Sequence, residues 1–273
     1  MTKLWRLLMI TLLLLLLCGG APAARSQTVQ LFFYHREPPF MLAADESKRA
    51  GLSFDLAALL NRQETESPRR FTATPLPRTR LDAELAPWTR HRCPVEEKSS
   101  SCDSNWILLW VTPQWGWGEE PERHFLWVDL FRDEDLIISR AQHPVDYREP
   151  SDLIGLRFAA VRGHHLPADI EALMGRGKIT RDDGNYERSL LQRLALNHAD
   201  VTLLQRSSLN YLLNFDPEFV GLRGRFHVSQ RPLQSFMLQA MIPSNRPDLR
   251  ALLLKVRQSK EWSVLMERYG IEP

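Results

Sequence analysis

Two aromatic residues flank the first sharp turn of the chain, where a small molecule could be held. Tyr34 ends an apolar run, and Phe40 follows the pair Pro38 and Pro39. An aromatic ring can stack on a ligand with little loss of conformational entropy, so both are candidate ligand-binding residues. Packing in a hydrophobic core explains the same two residues, and the sequence leaves both roles open.

A tryptophan-rich stretch provides a second candidate surface. Five tryptophans fall between positions 106 and 127, and the segment 110–117 interleaves Gly and Pro with indole rings. That mixture is more typical of a loop than of a core element. Because aromatic side chains exposed on a loop can form a ligand wall or a docking patch, we predict that Trp115 and Trp117 bind a ligand, with a docking surface as the alternative.

A third candidate site lies in the turn at 162–165, between a predicted strand and a predicted helix. Backbone N–H groups at the start of a helix attract anions, so Arg162, Gly163 and His164 are predicted to contribute to ligand binding. His164 and His165 are adjacent and therefore point in different directions, which argues against a metal site. We expect no metal and no other cofactor.

The sequence contains no recognisable catalytic motif. Neither G-x-S-x-G nor H-E-x-x-H is present, and no cysteine has a reactive context. We therefore expect a binding protein and not an enzyme. A pair of carboxylates in a cleft is the one catalytic arrangement that the residues leave open.

Cys93 and Cys102 bracket a short polar segment. In an oxidising compartment such a pair predicts a disulfide bond that closes a surface loop. A zinc site would need two further ligands at matching spacing, and none is nearby.

The first 26 residues have the three parts of a secretory signal peptide. Lys3 and Arg6 supply positive charge, a mostly apolar run covers 7–17, and small residues follow at 19–24. Such a run is too short to cross a bilayer, which takes roughly 20 residues, so a cleaved signal is favoured over a permanent anchor. The mature protein is therefore expected in the periplasm.

Cleavage is predicted after Ala23 or after Ser26. Leu16 and Leu17 precede Cys18, where a lipoprotein signal carries small residues, so lipid attachment is not expected.

Removal of residues 1–26 takes away Lys3, Arg6 and Arg25 and no acid, so the formal net charge changes from +2 to −1. A nearly neutral chain argues against nucleic acid or an anionic membrane as a partner, because both require clustered basic residues. A small molecule is the expected partner, and the mature chain is expected to be a monomer.

Strands and helices alternate in two successive groups, which predicts an α/β fold with two lobes. A late strand returns the chain to the first group, so two strands cross between the lobes and a cleft lies between them. The predicted strands are 29–34, 71–75, 136–139, 156–161, 201–204 and 235–242, and the predicted helices are 51–60, 80–85, 167–174, 186–197, 207–213, 247–258 and 261–269.

We predict that 27–138 and 231–273 form lobe one and that 139–230 form lobe two. Each lobe is expected to be a mixed sheet flanked by helices, and two strands are expected to form the hinge.

Six ordered landmarks make the chain resemble the family 3 extracellular solute-binding proteins, the periplasmic receptors of amino-acid-type importers. They extend over nearly the whole mature chain, and their order carries the resemblance. The landmarks are YHREPPF at 34–40, GLSFDL at 51–56, PER at 121–123 with WVDLF at 127–131, DLIG at 152–155 with VRG at 161–163, HADV at 198–201, and KEW to YG at 260–270.

The resemblance implies a two-lobed, type II periplasmic binding protein fold. Its lobes would close on a small polar ligand, amino-acid-like or a small carboxylate, for an ABC-type importer. Family members bind the ligand's carboxylate with an arginine and its ammonium with an acid of the second lobe. Arg123 and Asp200 resemble these two residues, and a guanidinium suits bidentate carboxylate binding.

Two other functions stay open at this stage. One is a ligand-sensing module for a membrane signalling protein, and the other is a dehydratase-like enzyme on the same scaffold.

Overall fold

Strands and helices alternate along the chain in the computed structural model, which describes residues 27–42, 49–65, 69–90, 93, 102–117 and 124–272. The predicted signal peptide at 1–26 and the candidate ligand-binding residue Arg123 lie outside the described residues.

The described residues contain nine strands and seven α-helices, and every predicted strand and helix is present. The strands are β1 (Gln27–Phe33), β2 (Arg69–Pro75), β3 (Trp106–Val111), β4 (Phe125–Arg140), β5 (Arg157–Val161), β6 (Thr180–Gly184), β7 (Val201–Gln205), β8 (Phe226–Val228) and β9 (Gln234–Pro243). The helices are α1 (Leu52–Gln63), α2 (Arg78–Thr89), α3 (Ala168–Gly175), α4 (Glu187–Ala195), α5 (Arg206–Phe215), α6 (Pro247–Arg257) and α7 (Lys260–Arg268).

Four strands differ from the prediction: β3, β6 and β8 were not predicted, and β4 is longer than predicted. Strand β6 has the sequence TRDDG, which lacks the apolar alternation that marks a half-buried strand. Strand β4 has 16 residues, whereas the apolar run predicted only 136–139, because the acidic segment 133–135 interrupts its pattern.

The strands form one mixed sheet in the order β2-β1-β3-β9-β4-β7-β5-β6, with β8 paired to β4. At one end β1 runs parallel to β2 and β3, and at the other β5 runs parallel to β6 and β7. The antiparallel pair β4 and β9 joins these two parallel units. The fold is therefore two-lobed, and two long strands pass between the lobes.

The register of β4 shows where it passes from one lobe to the other. Its first part pairs with β9, from Phe125 opposite Pro243 to Asp135 opposite Gln234, with a register shift between Asp129 and Phe131. Residues 135–139 of β4 pair with β7, on the side of the second lobe. Bulges of this kind bend a strand and increase its twist.

The apolar core is divided in the same way. Two clusters of buried side chains draw on residues 29–131 and 238–271, and two others draw on residues 136–226. Each lobe therefore has a core of its own. The lobe boundaries at 138/139 and 230/231 stay a prediction.

The tryptophan-rich segment is partly core and partly loop. Trp110 belongs to β3, where it is fully buried and its indole N–H donates to Ser53 Oγ at 2.9 Å. Trp117 is only 1% exposed, and its N–H donates to the carbonyl of Thr112. The expectation that the whole segment behaves as a loop is wrong for Trp110, because an indole with a satisfied N–H packs well in a core.

Cys93 and Cys102 form the predicted disulfide, with Cα atoms 5.9 Å apart. Cys93 is buried beside Trp88 and Trp106, so the bond links the loop to the core of the first lobe.

Replacing both Cys93 and Cys102 with Ala should lower the free energy of unfolding by about 2.5 kcal/mol, because the loop they close has about ten residues and is no longer constrained in the unfolded chain. Urea denaturation measures the change. Dithiothreitol should destabilise the wild type by a similar amount and leave the double variant unaffected. Equal stabilities of the two proteins would contradict a structural role for the bond.

Candidate functional site

A cleft of about 510 Å³ lies between the two lobes. The ends of β1, β5 and β7 open towards it, as is usual for ligand sites at the carboxyl ends of parallel strands. The described lining residues come from both lobes and from the two crossing strands: Tyr34, His35, Glu37, Arg78, Trp115, Asp135, Ala160, Val161, Gly163, His164, His165, Leu166, Glu187, Leu203, Leu204, Gln205, Ser208 and Gln234.

Aromatic rings form one wall of the cleft. The ring of Tyr34 lies 4.4 Å from that of His35 in a stacked arrangement and 6.5 Å from that of Trp115. Trp115 in turn contacts Phe236 of β9 edge-on, with ring centroids 5.3 Å apart. Burial raises the pKa of the Tyr34 hydroxyl, so this group stays protonated at physiological pH.

His35 and Glu37 form a pair at the exit of β1. His35 Nε2 donates to the carbonyl of Trp110 at 2.9 Å, which leaves Nδ1 2.6 Å from Glu37 Oε1. Burial alone would raise the pKa of Glu37, but the adjacent His35 outweighs burial and the pKa is lowered. Glu37 is therefore a carboxylate anion in the cleft.

Glu187 is the first residue of α4 and lines the cleft from the second lobe. Loss of hydration, followed by repulsion from the Glu37 carboxylate, raises its pKa to about 8, against a weaker opposing effect of its own backbone N–H. Glu187 is thus mostly protonated at neutral pH. Two carboxyl groups from opposite lobes therefore carry different charges, because their environments shift their pKa values in opposite directions.

A third carboxyl group lies on the hinge. Burial is the main reason that the pKa of Asp135 is raised to about 6, with Asp133 and Glu37 adding to it and a hydrogen bond from Gln234 opposing it. Asp135 and Gln234 are cross-strand partners in β4 and β9. The floor of the cleft is therefore built by the strands that connect the lobes.

The start of α5 is held by both the hinge and the first lobe. The backbone N–H and hydroxyl of Ser207 donate to the buried carboxyl of Asp133 at 3.1 and 2.6 Å. The hydroxyl of the next residue, Ser208, donates to the carbonyl of Pro38 at 2.6 Å. A direct hydrogen bond thus joins the lobes at the edge of the cleft.

The structure brings four of the nine predicted ligand-binding residues to the cleft, namely Tyr34, Trp115, Gly163 and His164. Contact with a ligand stays a prediction for each of them. His164 lies on the solvent-accessible side of the cleft, where partial loss of hydration lowers its pKa although Glu37 opposes the shift.

The other predicted residues lie elsewhere. Phe40 is fully buried and packs on Trp110 and Phe131, with ring centroids 5.4 and 6.4 Å away. Trp117 is buried next to the cleft, and Arg162 is exposed and does not line it. Burial therefore removes Phe40 and Trp117 from the cleft wall, whereas Arg162 is on the surface outside the cleft lining.

Asp200 lies just before β7, at the end of that strand opposite to the cleft residue Gln205. Its carboxylate accepts hydrogen bonds from Arg157 Nη2 at 2.8 Å and from the Arg157 backbone N–H at 2.9 Å. These bonds lower the pKa of Asp200 and connect β7 to β5. The structure thus places Asp200 in a structural ion pair, outside the cleft lining.

Sequence reasoning missed the three cleft carboxyl groups, Glu37, Asp135 and Glu187. A signal was available for Asp135, because the acidic run at 133–135 stands inside an otherwise apolar strand. The signal for Glu187 was weaker. It stands at the start of a helix, where an acidic residue is common because it interacts favourably with the helix dipole.

Among the described residues, no group of three or more His, Cys, Asp or Glu side chains could hold a metal ion. None of the described helices is long and apolar enough to cross a membrane.

No family model matches the sequence, and a search of curated proteins finds no match. Solved structures do match over most of the chain. An ancestral arginine-binding protein bound to arginine is 12% identical with a TM-score of 0.57, and the match covers 89% of this chain and 98% of that one. An arginine 3rd transport system periplasmic binding protein from Legionella pneumophila is 16% identical with a TM-score of 0.56, covering 89% and 100%.

A third similar structure is the ancestral amino acid-binding protein AncCDT-1, a precursor of cyclohexadienyl dehydratase. It is 13% identical with a TM-score of 0.56, and the match covers 89% of this chain and 95% of that one. These similarities show the fold, which is the two-lobed type II periplasmic binding protein fold predicted from the sequence.

Replacing Glu187 with Gln should change the pH dependence of stability. Between about pH 4.5 and about pH 8 the unfolded chain releases this proton while the folded chain keeps it, so the carboxyl group makes folding less favourable as pH rises. Urea denaturation from about pH 5 to about pH 8 should therefore show wild-type stability falling relative to the Gln variant. The control is Glu267→Gln, on the exposed face of α7. Parallel curves for wild type and Glu187→Gln would contradict the raised pKa.

Proposed function

We propose that this protein is a periplasmic solute-binding protein that captures a small polar molecule in the cleft between its lobes. The observation that carries the proposal is the composition of the cleft wall. Both lobes and both crossing strands contribute side chains to one volume of about 510 Å³, which suits a small ligand.

Hinge closure is the mechanism that we infer for ligand capture. The lobes are joined by β4 and β9, and a ligand that contacts Tyr34 on one lobe and Glu187 on the other would favour the closed form. Closure replaces the hydration of the ligand with fixed polar groups. The hydrogen bond from Ser208 to the carbonyl of Pro38 joins the two lobes at the edge of the cleft, so closure would keep it.

The similar structures support this proposal through their names. Two of them are described as arginine-binding proteins, and one of these belongs to a transport system. Together with the predicted signal peptide and the disulfide, this supports a periplasmic location and delivery of the ligand to an ABC-type membrane permease.

A second candidate function is an enzyme of the dehydratase type on the same scaffold. The observation that favours it is the pair of cleft carboxyl groups, one ionised at Glu37 and one protonated at Glu187, which are suited to accepting and donating a proton. One similar structure is described as a precursor of a dehydratase. Mass spectrometry separates the two functions, because a receptor returns its ligand unchanged and an enzyme releases a product.

A thermal-shift screen of amino acids, polyamines, small carboxylates and short peptides tests solute binding. A ligand at 100 times its Kd should add about 2.7 kcal/mol to the free energy of unfolding. Tyr34→Ala should weaken that ligand at least about tenfold, because it removes an aromatic wall of the cleft. Phe215→Ala, an exposed aromatic residue outside the cleft lining, is the matched control and should bind normally. A ligand that binds both variants equally well would place the site elsewhere.

A further inference from the structure

A short turn at residues 112–117, which we call the Trp115 turn, carries Trp115 from the end of β3 to the cleft. It contains one turn of 3-10 helix, Pro113–Trp115, followed by Gly116 in the left-handed conformation with a φ of 74°. The N–H of Trp115 donates to the carbonyl of Thr112 at 3.1 Å. A single 3-10 turn has poor hydrogen-bond geometry, so the position of Trp115 depends on contacts from outside the turn.

Arg78, the first residue of α2, makes such contacts. Its Nη2 donates to the carbonyls of Trp115 and Gly116 at 3.3 and 3.4 Å. Its Cζ lies 3.9 Å from the ring centroid of Trp117, which is the geometry of a cation–π contact. One guanidinium therefore contacts three consecutive residues of the Trp115 turn and links the turn to α2.

The guanidinium of Arg78 is itself held in place. Its Nε donates to Asp82, one helical turn further along α2, at 2.8 Å, and its Cζ lies 5.8 Å from the ring centroid of Tyr34. A guanidinium is planar and carries five N–H donors in a fixed arrangement, so it can bind a carboxylate, donate to two carbonyls and contact a ring at once. A lysine ammonium has the same charge but cannot make this set of contacts.

The ring that Arg78 holds is central to the cleft wall. The centroid of the Trp115 ring lies 6.5 Å from that of Tyr34 and 5.8 Å from that of His35. It also lies 5.3 Å from the ring centroid of Phe236 on the crossing strand β9. Trp115 thus spans the space between the exit of β1 and the hinge, and a shift of the Trp115 turn would displace this wall from both.

Trp117 has a supporting role in the same arrangement. Its side chain is almost fully buried, and its indole N–H donates to the carbonyl of Thr112 at 3.1 Å. The buried ring therefore offers a fixed face to Arg78. The spacing W-G-W at 115–117 places one ring in the cleft wall and the other behind it, under the arginine that holds the wall.

We propose that Arg78 is a positioning residue of the cleft, which fixes the Trp115 turn so that the ring of Trp115 forms a wall before a ligand enters. The effect on binding rests on the proposed function, whereas the order of the turn does not. A side chain that is already ordered loses little conformational entropy when a ligand binds. Arg78 acts through Trp115, and a direct contact between Arg78 and the ligand is the alternative that the experiments separate.

Fluorine NMR of the mature protein labelled with 5-fluorotryptophan tests the order of the turn without a ligand. Trp115→Phe and Trp117→Phe assign the two resonances. We expect one narrow Trp115 resonance in the wild type, and in Arg78→Lys a broadened or split Trp115 resonance with a shifted Trp117 resonance. The matched control is Arg80→Lys on the same helix, where the side chain is 69% exposed and outside the cleft lining, and it should give the wild-type spectrum.

A Trp115 resonance that is the same in Arg78→Lys and in the wild type would overturn the proposal. Circular dichroism verifies that each variant folds. If Arg78→Lys does not fold, Asp82→Ala takes its place, because it keeps the guanidinium and removes the carboxylate that holds it. The Trp115 resonance should then broaden, and an unchanged resonance would again overturn the proposal.

The effect on binding is measured with L-arginine, putrescine, succinate and dialanine, which represent the compound classes of the thermal-shift screen. A probe that binds the wild type should bind Arg78→Lys about two- to tenfold more weakly, because binding then has to order one large side chain. The Kd follows from the dependence of the Tm on probe concentration.

Wild-type affinity in Arg78→Lys would overturn the proposal. So would a loss confined to the probes that carry a carboxylate, with an unchanged Trp115 resonance, because that result indicates direct contact with the ligand. If no compound of the screen binds the wild type, the proposed function fails, and the Trp115 resonance still decides whether Arg78 fixes the turn.

Discussion

The pairing of β4 with β9 is the interaction on which the rest of the molecule depends. These two antiparallel strands are the centre of a single sheet whose two ends are separate parallel units. Each lobe buries its own apolar cluster, so without this ladder the lobes would share little covalent or hydrogen-bonded structure. The same ladder carries Asp135 and Gln234, which means that the hinge and the floor of the cleft are built from the same residues.

The cleft also concentrates charge that a protein interior normally avoids. Glu37 remains ionised because His35 is beside it, while Glu187 and Asp135 retain protons more readily because they are buried near other carboxyl groups. Bringing these groups together lowers the stability of the folded state. A ligand that supplies charge or hydrogen-bond donors can offset this loss of stability. Groups with strongly shifted pKa values are common at functional sites for this reason.

Much of the fold could be predicted from the chain itself. The positions of six strands and of the seven α-helices follow from local patterns of apolar residues, and the disulfide follows from two cysteines around a short polar segment. The patterns were least informative where tertiary packing overrides local chemistry. Strand β6 is polar yet pairs with β5, and Trp110 stands in a Gly- and Pro-containing segment yet is buried, because its N–H finds Ser53 in α1.

The sequence by itself determined the two α/β units, their order, and the turns from which Tyr34, Trp115, Gly163 and His164 reach the cleft. Only the tertiary structure decided which polar residues share that cleft. Glu37, Asp135 and Glu187 are far apart in the chain, and Asp200 resembles a binding acid but pairs with Arg157 at the opposite end of β7. The reason is physical: a local pattern specifies which face of an element is apolar, whereas burial and pKa depend on charges that strand pairing brings together from distant parts of the chain.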